Sequence, residues 1–285
     1  MSFSGPKHYR EESAKSLKDR PSVRTSVTSA TDTFNANRSE AYSQINSDLW
    51  KDWARDVKSH ALTNLDQYLE QAETQLLANG AKVHWAETAH DALGLLEEIV
   101  RDHGISTAVK AKSMLSEELG INEHLEHLGV HVRETDLGEY IIQLIGEPPS
   151  HIVGPAIHRS LEDCQRLFHE KFGTPLDDGP DALAATAREA LREEFLAADL
   201  GISGGNFLVA ETGTVALIEN EGNIRLSTSL PRVHIALVGI EKIVPRLEDV
   251  SGFVQLTSRA ATGQPIGNFF SLIQGPKRDG DIDGP

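Results

Sequence analysis

One cysteine in 285 residues, Cys164, rules out a disulfide framework and any site in which several thiolates of one chain hold a metal or a cluster. Long apolar runs are missing too. None approaches the ~20 residues that span a bilayer, and the opening MSFSGPKHYREESAKSLKDR holds no apolar segment of the kind a secretory signal needs. Basic residues are scarce: 27 Lys and Arg stand against 43 Asp and Glu, a formal net charge of −16. That balance excludes the broad basic footprint on which nucleic acids and anionic membranes are bound, although a local basic pocket is compatible with it. There is no G-x-x-x-x-G-K-[ST] loop, and GISGGN lacks the spacing of the dinucleotide fingerprint. These absences describe a cytoplasmic chain with no membrane span, no nucleic-acid partner and no nucleotide motif.

What is present suffices for a sizeable core. The hydrophobic share is 39% before the 23 glycines are counted, an ordinary globular value for one large α/β domain or two small ones. Residues 1–40 are polar and form either a loose arm or short helices laid on a partner. Over 40–79 the apolar positions Trp50, Trp53, Val57, Ala61, Leu62, Leu65, Tyr68 and Leu69 recur at helical spacing, and Asn79-Gly80 is a stop signal. An α/β rhythm follows. Strands are predicted at 82–86, 106–111, 130–133 and 150–153, and helices at 90–103, 116–128, 161–172 and 181–198. Strands alternating with helices of that length imply a mainly parallel sheet covered on both faces. After Gly201 the pattern becomes strand, turn, strand, over 207–210, 215–219 and 224–227. Turns at Thr212-Gly213 and Glu221-Gly222-Asn223 predict antiparallel hairpins, and 233–239 reads as a buried strand. Three segments result: an N-terminal arm and helical extension over 1–80, an α/β domain over 81–275, and a linker stub over 276–285.

The stretch from Gly201 to Ile235 concentrates the candidate chemistry. Gly201 follows a helix and could serve as no more than its cap. Ser203, Gly204, Gly205 and Asn206 go further, because successive glycines with short polar side chains make a concavity lined by N–H donors for an anion. Glu211 and Thr212 sit at a hairpin tip; beside such a loop Glu211 is the candidate general acid, base or nucleophile, against the reading of a solvated turn acid. Lys110 and Lys112 stand where a strand ends, the edge that faces the ligand crevice of an open parallel sheet. They suit a carboxylate or phosphate, or are ordinary solvated lysines. Arg225 could clamp a carboxylate with its planar fork, or form a surface ion pair.

Twelve histidines invite a metal reading, but no H-E-x-x-H motif occurs. His124, His127 and His131 are better explained as exposed helix histidines. His234, opening an apolar strand, lines the crevice or is a satisfied core group. No metal site is expected.

GISGGNFLVAETGTVALIENEGN followed by RLSTSLPRVHIALVGIEKIVP resembles the lactate-utilisation protein B family, the iron–sulfur subunit of a bacterial L-lactate oxidation system. VKAKSMLSEELGINEHL, ETDLGEYIIQL, PSHIVGPAIH and ATGQPI match it as well, from about residue 63 onward. The resemblance implies a Rossmann-like lactate-utilisation domain of the NagB/RpiA/CoA-transferase fold group. It also implies a following ferredoxin-like segment with two cysteine runs for [4Fe–4S] clusters, A-like and C-like partner subunits, and a part in oxidising L-lactate to pyruvate. With one cysteine, this chain is expected to hold no cofactor itself and to be a truncated piece of a longer protein or a natural stand-alone domain. The resemblance carries over no settled catalytic residues. Ile218-Glu219-Asn220-Glu221-Gly222 faintly echoes the Glu-Asn-Gly of CoA transferases, with Glu221 breaking the pattern. The alternatives are a stand-alone isomerase or CoA-transferase-like enzyme acting on a small carboxylate, and a subunit-docking domain.

Overall fold

The computed structural model describes residues 21–147 and 154–278, with isolated positions 11, 14, 15 and 18. The strand predicted at 150–153, most of the first twenty residues and the end of the linker stub lie outside the described residues. Two four-stranded sheets organise the rest. The first contains β1 (Thr107–Lys110), β2 (His131–Glu134), β3 (Leu200–Ser203) and β6 (Val233–Ala236). Its order is β2-β1-β3-β6 and every pair is parallel. The second contains β4 (Phe207–Val209), β5 (Thr214–Glu219), β7 (Ile243–Val244) and β8 (Phe269–Ile273), in the order β7-β4-β5-β8. Here β5 is antiparallel to both neighbours, whereas β4 and β7 run parallel.

Three helices form the N-terminal extension: α1 (Pro21–Ser43), α2 (Ser47–Thr63) and α3 (Leu65–Ala78). Next come α4 (Ala89–His103), the short α5 (Met114–Glu118) and α6 (Ile121–His127), then α7 (Leu137–Ile145), α8 (Leu161–Phe172) and α9 (Pro180–Ala197). The last two are α10 (Asn223–Ser229) and α11 (Leu247–Thr262). Period-two alternation along each strand sends its residues to opposite faces. On one face Ala108, Val132, Leu200 and Ile202 pack under Leu96 and Val100 of α4 and Ile121 and Leu125 of α6. On the other, Val109 packs with Tyr140 of α7, Phe168 of α8 and Leu183, Leu191 and Phe195 of α9. Leu200 and Ile202 are fully buried, and each such side chain contributes about 1.5–3 kcal/mol of burial. The parallel sheet with helices on both faces is therefore the architecture that the strand–helix alternation predicts. Asp199, just before β3, ties the entry ends of three strands together. Its Oδ2 accepts from Ser106 N–H and Thr107 N–H, and its Oδ1 accepts from Arg232 Nε. The Ser106 N–H leads the bonds that hold this carboxyl down at about 2.

The second sheet has its own core. Val209, Ala216 and Val244 meet Val250, Phe253 and Val254 of α11, with Trp53 of α2 closing the cluster. The indole lies so close to Gly252 that a Cβ there would stand 2.4 Å from a ring carbon. The polar N-terminal arm contains one long helix, α1, which packs along α11; Tyr42 Oη donates to the Leu256 carbonyl at 3.4 Å.

Several elements differ from expectation. Residues 82–86 form no strand. The helix predicted at 116–128 is divided at Gly120, whose φ of +67° suits glycine and interrupts the helix. The hairpin at Thr212-Gly213 exists as β4–β5, but 224–227 is helical rather than a third strand. The cause lies outside the segment. The Glu219 carboxylate accepts from Ile224 N–H at 2.8 Å and Arg225 N–H at 3.2 Å, satisfying donors that a first helical turn leaves open.

Candidate functional site

In the strand order β2-β1-β3-β6, the chain leaves β1 in one direction to form β2 and crosses back to form β3 on the other side. The carboxyl ends of β1 and β3 are therefore a topological switch point, where open α/β sheets bind ligands. Residues 111–113 leave β1 there and 204–206 leave β3. The two loops nearly touch: a Cβ on Gly204 would stand 3.0 Å from Ser113 Oγ, and one on Gly205 would stand 2.7 Å from a Val238 methyl. A side chain at either position would press on these neighbours. Among the described residues, neither the Gly204 nor the Gly205 N–H donates a hydrogen bond, and both residues are partly exposed. Ser113 opens α5, its Oγ accepting from Ser116 N–H at 3.4 Å.

Beneath this edge lies a buried charge cluster. Lys110, the last residue of β1, is fully buried, yet its Nζ donates to Glu117 Oε1 at 2.8 Å and lies 2.9 Å from Glu134 Oε1. Ser116 Oγ is 3.2 Å away. Register dictates the central pair, because Lys110 and Glu134 are cross-strand partners on one face of the sheet. Burial alone would depress the lysine pKa; Glu134, Glu117 and Glu139 more than offset it and raise it, so the ammonium stays charged. Glu139, in the first turn of α7, behaves oppositely. Burial, reinforced by the Glu134 charge, pushes its carboxyl up to about 9. Oxygens of Glu117, Glu134 and Glu139 lie within 4.8 Å of one another. The spacing would suit a hard cation, but the Lys110 ammonium already bridges two of the three carboxylates.

Around the cluster, Lys112 Nζ meets Asp136 Oδ2 at 2.5 Å, with the lysine partly exposed. Asp136 Oδ1 caps α7 through Gly138 N–H and Glu139 N–H. Glu221 Oε2 accepts from Leu137 N–H at 3.1 Å. Asn223, Thr135 and Ser227 join by side-chain hydrogen bonds of 3.3 Å, and Thr135 Oγ1 donates to the Lys110 carbonyl. Gly201 gives α10 its place, since a Cβ there would stand 1.8 Å from the Ser227 carbonyl oxygen.

The structure brings five sequence candidates together at this edge: Lys110, Lys112, Ser203, Gly204 and Gly205. Ser203 is fully buried; its Oγ donates to the Gly204 carbonyl and lies 2.9 Å from His234 Nε2. Burial lowers the His234 pKa to about 4, so the ring is neutral. The other four candidates belong to the second sheet and its flanks. Asn206 Oδ1 accepts from Ile218 N–H at 2.8 Å, fastening the loop to β5. Glu211 Oε2 accepts from Leu247 N–H at 3.0 Å and caps α11. Thr212 Oγ1 bonds Thr214 Oγ1 at 2.7 Å. Arg225 lies 5.2 Å above the Phe269 ring. Glu134, Asp136 and Glu139 join the site through cross-strand register and a helix start, which no local sequence motif signals.

Cys164, half-buried on α8, has its thiol pushed up by burial and by Asp163. One such cysteine does not fit the [4Fe–4S] clusters that the resemblance implies. Among the described residues, no helix is long and apolar enough to cross a membrane.

Comparison with known proteins follows the same lines. A family model described as the LUD domain matches residues 69–285. The chain is 42% identical over 265 residues to lactate utilization protein B of Shouchella clausii, covering 92% of this chain and 56% of that protein. It is 40% identical over 283 residues to lactate utilization protein B of Bacillus licheniformis, covering 99% and 59%. It is also 40% identical over 266 residues to the uncharacterized electron transport protein YkgF of Escherichia coli, covering 93% and 56%. The chain thus spans little more than half the length of these relatives. Among solved structures, a DUF162 family protein from Deinococcus radiodurans aligns with 67% of this chain and 91% of its own, at 16% identity and a TM-score of 0.24.

Proposed function

This chain belongs to the LUD-domain family, and from that premise we propose that it is the ligand-binding domain of a lactate utilization protein B-like subunit in L-lactate oxidation to pyruvate. The observation that carries ligand binding is the pair of unengaged N–H donors at Gly204 and Gly205, opposite Ser113 at the switch point. Lys112 stands at the same edge with a charge that a small carboxylate can share with Asp136. The chain's own residues bind and orient such an anion, and the packed glycine loops keep the donors fixed. Electron transfer belongs to iron–sulfur clusters held outside these residues, with A-like and C-like lactate-utilisation subunits as partners.

Calorimetric titration of the chain with L-lactate and pyruvate tests the reading. Millimolar or tighter binding of either anion is expected, weakened at least tenfold by Gly204→Ala, whose Cβ would press on Ser113. Absence of heat with both anions in wild type, or an unchanged affinity in Gly204→Ala and Lys112→Ala, sinks the assignment. A response to coenzyme A instead would favour the isomerase or CoA-transferase-like alternative.

A further inference from the structure

We infer that Glu134 and Glu139 form a carboxyl–carboxylate pair that holds one proton at neutral pH and acts as the proton store of the switch-point crevice. Both side chains are nearly inaccessible, at 4% and 6% exposure. Each also has one oxygen, Oε2, that is buried without a hydrogen-bond partner among the described residues. A carboxylate oxygen left unpaired in such a place has lost its water without gaining a partner, which is unfavourable. Oxygens of the two side chains lie within 4.8 Å of one another, so with both ionised like-charge repulsion would add to that cost. A single proton relieves the repulsion and lets the Glu139 carboxyl donate to Glu134, a hydrogen bond that itself helps hold the proton on Glu139. The division of labour is set by the surroundings. Glu134 Oε1 already receives Asn122 Nδ2 at 2.5 Å and faces the Lys110 ammonium, so Glu134 keeps the charge. Glu139 has Asp136 beside it and no direct cation, so Glu139 keeps the proton. Glu117 and Ser116 of α5, Asn122 of α6, Lys110 of β1 and Asp136 before α7 are the polar groups that face the pair.

The pair lies beneath the crevice edge, since Glu134 ends β2 beside Lys110 at the end of β1. Lys110 also links it to Glu117, which is partly exposed. A negatively charged crevice ligand therefore acts on the pair's proton through charge, raising the pair's hold on it, with the Lys110 ammonium staying protonated throughout. The shared proton stands on the pair's own geometry; its service to a ligand rests on the ligand-binding reading above.

Infrared spectroscopy of the 285-residue chain decides the first part. A protonated-carboxyl stretch should be present at neutral pH, fade as the pH approaches about 10, and be absent from Glu139→Gln. Glu211→Gln, altered at an exposed helix cap, should retain it. No such band in folded wild type overturns the pair, as does micromolar Mg2+ or Ca2+ binding that Glu139→Gln abolishes. For the second part, L-lactate or pyruvate is titrated near about pH 9 in buffers of different ionisation heat. An anion placed near the pair should draw in part of a proton in wild type and none in Glu139→Gln. Identical buffer dependence in the two proteins overturns the proton-store role. Silence from both ligands overturns the crevice reading instead, while the infrared band still decides the pair.

Discussion

A carbon added at Gly201 would overlap the carbonyl oxygen of Ser227 at 1.8 Å, so the middle of β3 and the back of α10 touch main chain to main chain. Gly201→Ala is therefore expected to destabilise the fold by about 3 kcal/mol or more, because neither backbone can withdraw without moving its element. Gly94→Ala is the internal control. It lies within α4 with open space around it, and the change should stabilise by about 0.5–1 kcal/mol. Urea unfolding of the two variants reads both signs; equal midpoints would refute the close-packing account.

Among the described residues, Lys110 is the one cation paired with Glu117 and Glu134, and it is wholly buried. Lys110→Met should cost about 3–5 kcal/mol, since it strands buried carboxylates rather than merely removing a contact. Adding Glu134→Gln should restore part of that loss. A double variant no more stable than the single one, measured by denaturant midpoint, would show that charge stranding is not the cause.

Two buried groups bend the pH–stability curve in opposite directions. Glu139 titrates at about 9 in the fold against 4.5 unperturbed, so its contribution is complete below 4.5 and is lost as pH rises towards 9. His234 titrates at about 4 against 6.5, so its contribution is complete above 6.5 and is lost as pH falls towards 4. Between 4.5 and 6.5 the two slopes cancel. Above 6.5 His234 no longer opposes Glu139, whose own contribution should fall by about 1.4 kcal/mol per pH unit at most.

Glu139→Gln mimics the protonated acid and should keep neutral-pH stability while flattening the decline between 6.5 and 9. In that variant the His234 slope should emerge alone, as a rise in stability up to 6.5. Thermal midpoints across the range test both statements. A Glu139→Gln curve parallel to wild type throughout would show that Glu139 is not the titrating group.

Glu219→Ala should cost about 1–2 kcal/mol, because its carboxylate satisfies two opening N–H donors of α10. Hydrogen exchange should localise the loss to 223–229. Uniform loss across the sheet would argue against a capping role.

The sequence makes the parallel sheet and helices α8 and α9 legible because their apolar periodicity is local and their caps are adjacent. Ser160 and Asp163 form a capping box at the start of α8, and Pro180 opens α9. It misleads at 224–227, where Ile and Leu around Arg225 read as a strand while the residue that makes them helical, Glu219, caps from the end of β5. Helix α7 is hidden for a different reason: it is short, and its apolar run Tyr140-Ile141-Ile142 reads equally as a buried strand. At the candidate site, Lys110 and the two glycines are legible from the strand-end rule. Glu134 and Glu139 are not, since their chemistry arises from cross-strand register and a helix start that no local motif announces. Glu211 is conspicuous at its turn, yet its carboxylate serves the N-terminus of α11.

The layer formed by α2, α3 and α11 has an optical consequence. Trp50 and Trp53 lie on α2, where Trp53 covers Gly252, and Trp85 bonds Glu73 of α3 through its indole N–H. All three tryptophans of the chain thus belong to the helical flank rather than to the loops at 111–113 and 204–206. Intrinsic emission is consequently a gauge of how that flank seats on the second sheet, and occupancy at the loops should leave it dark. A fluorescence change on adding a small anion would report movement between layers, at a site remote from the one being filled.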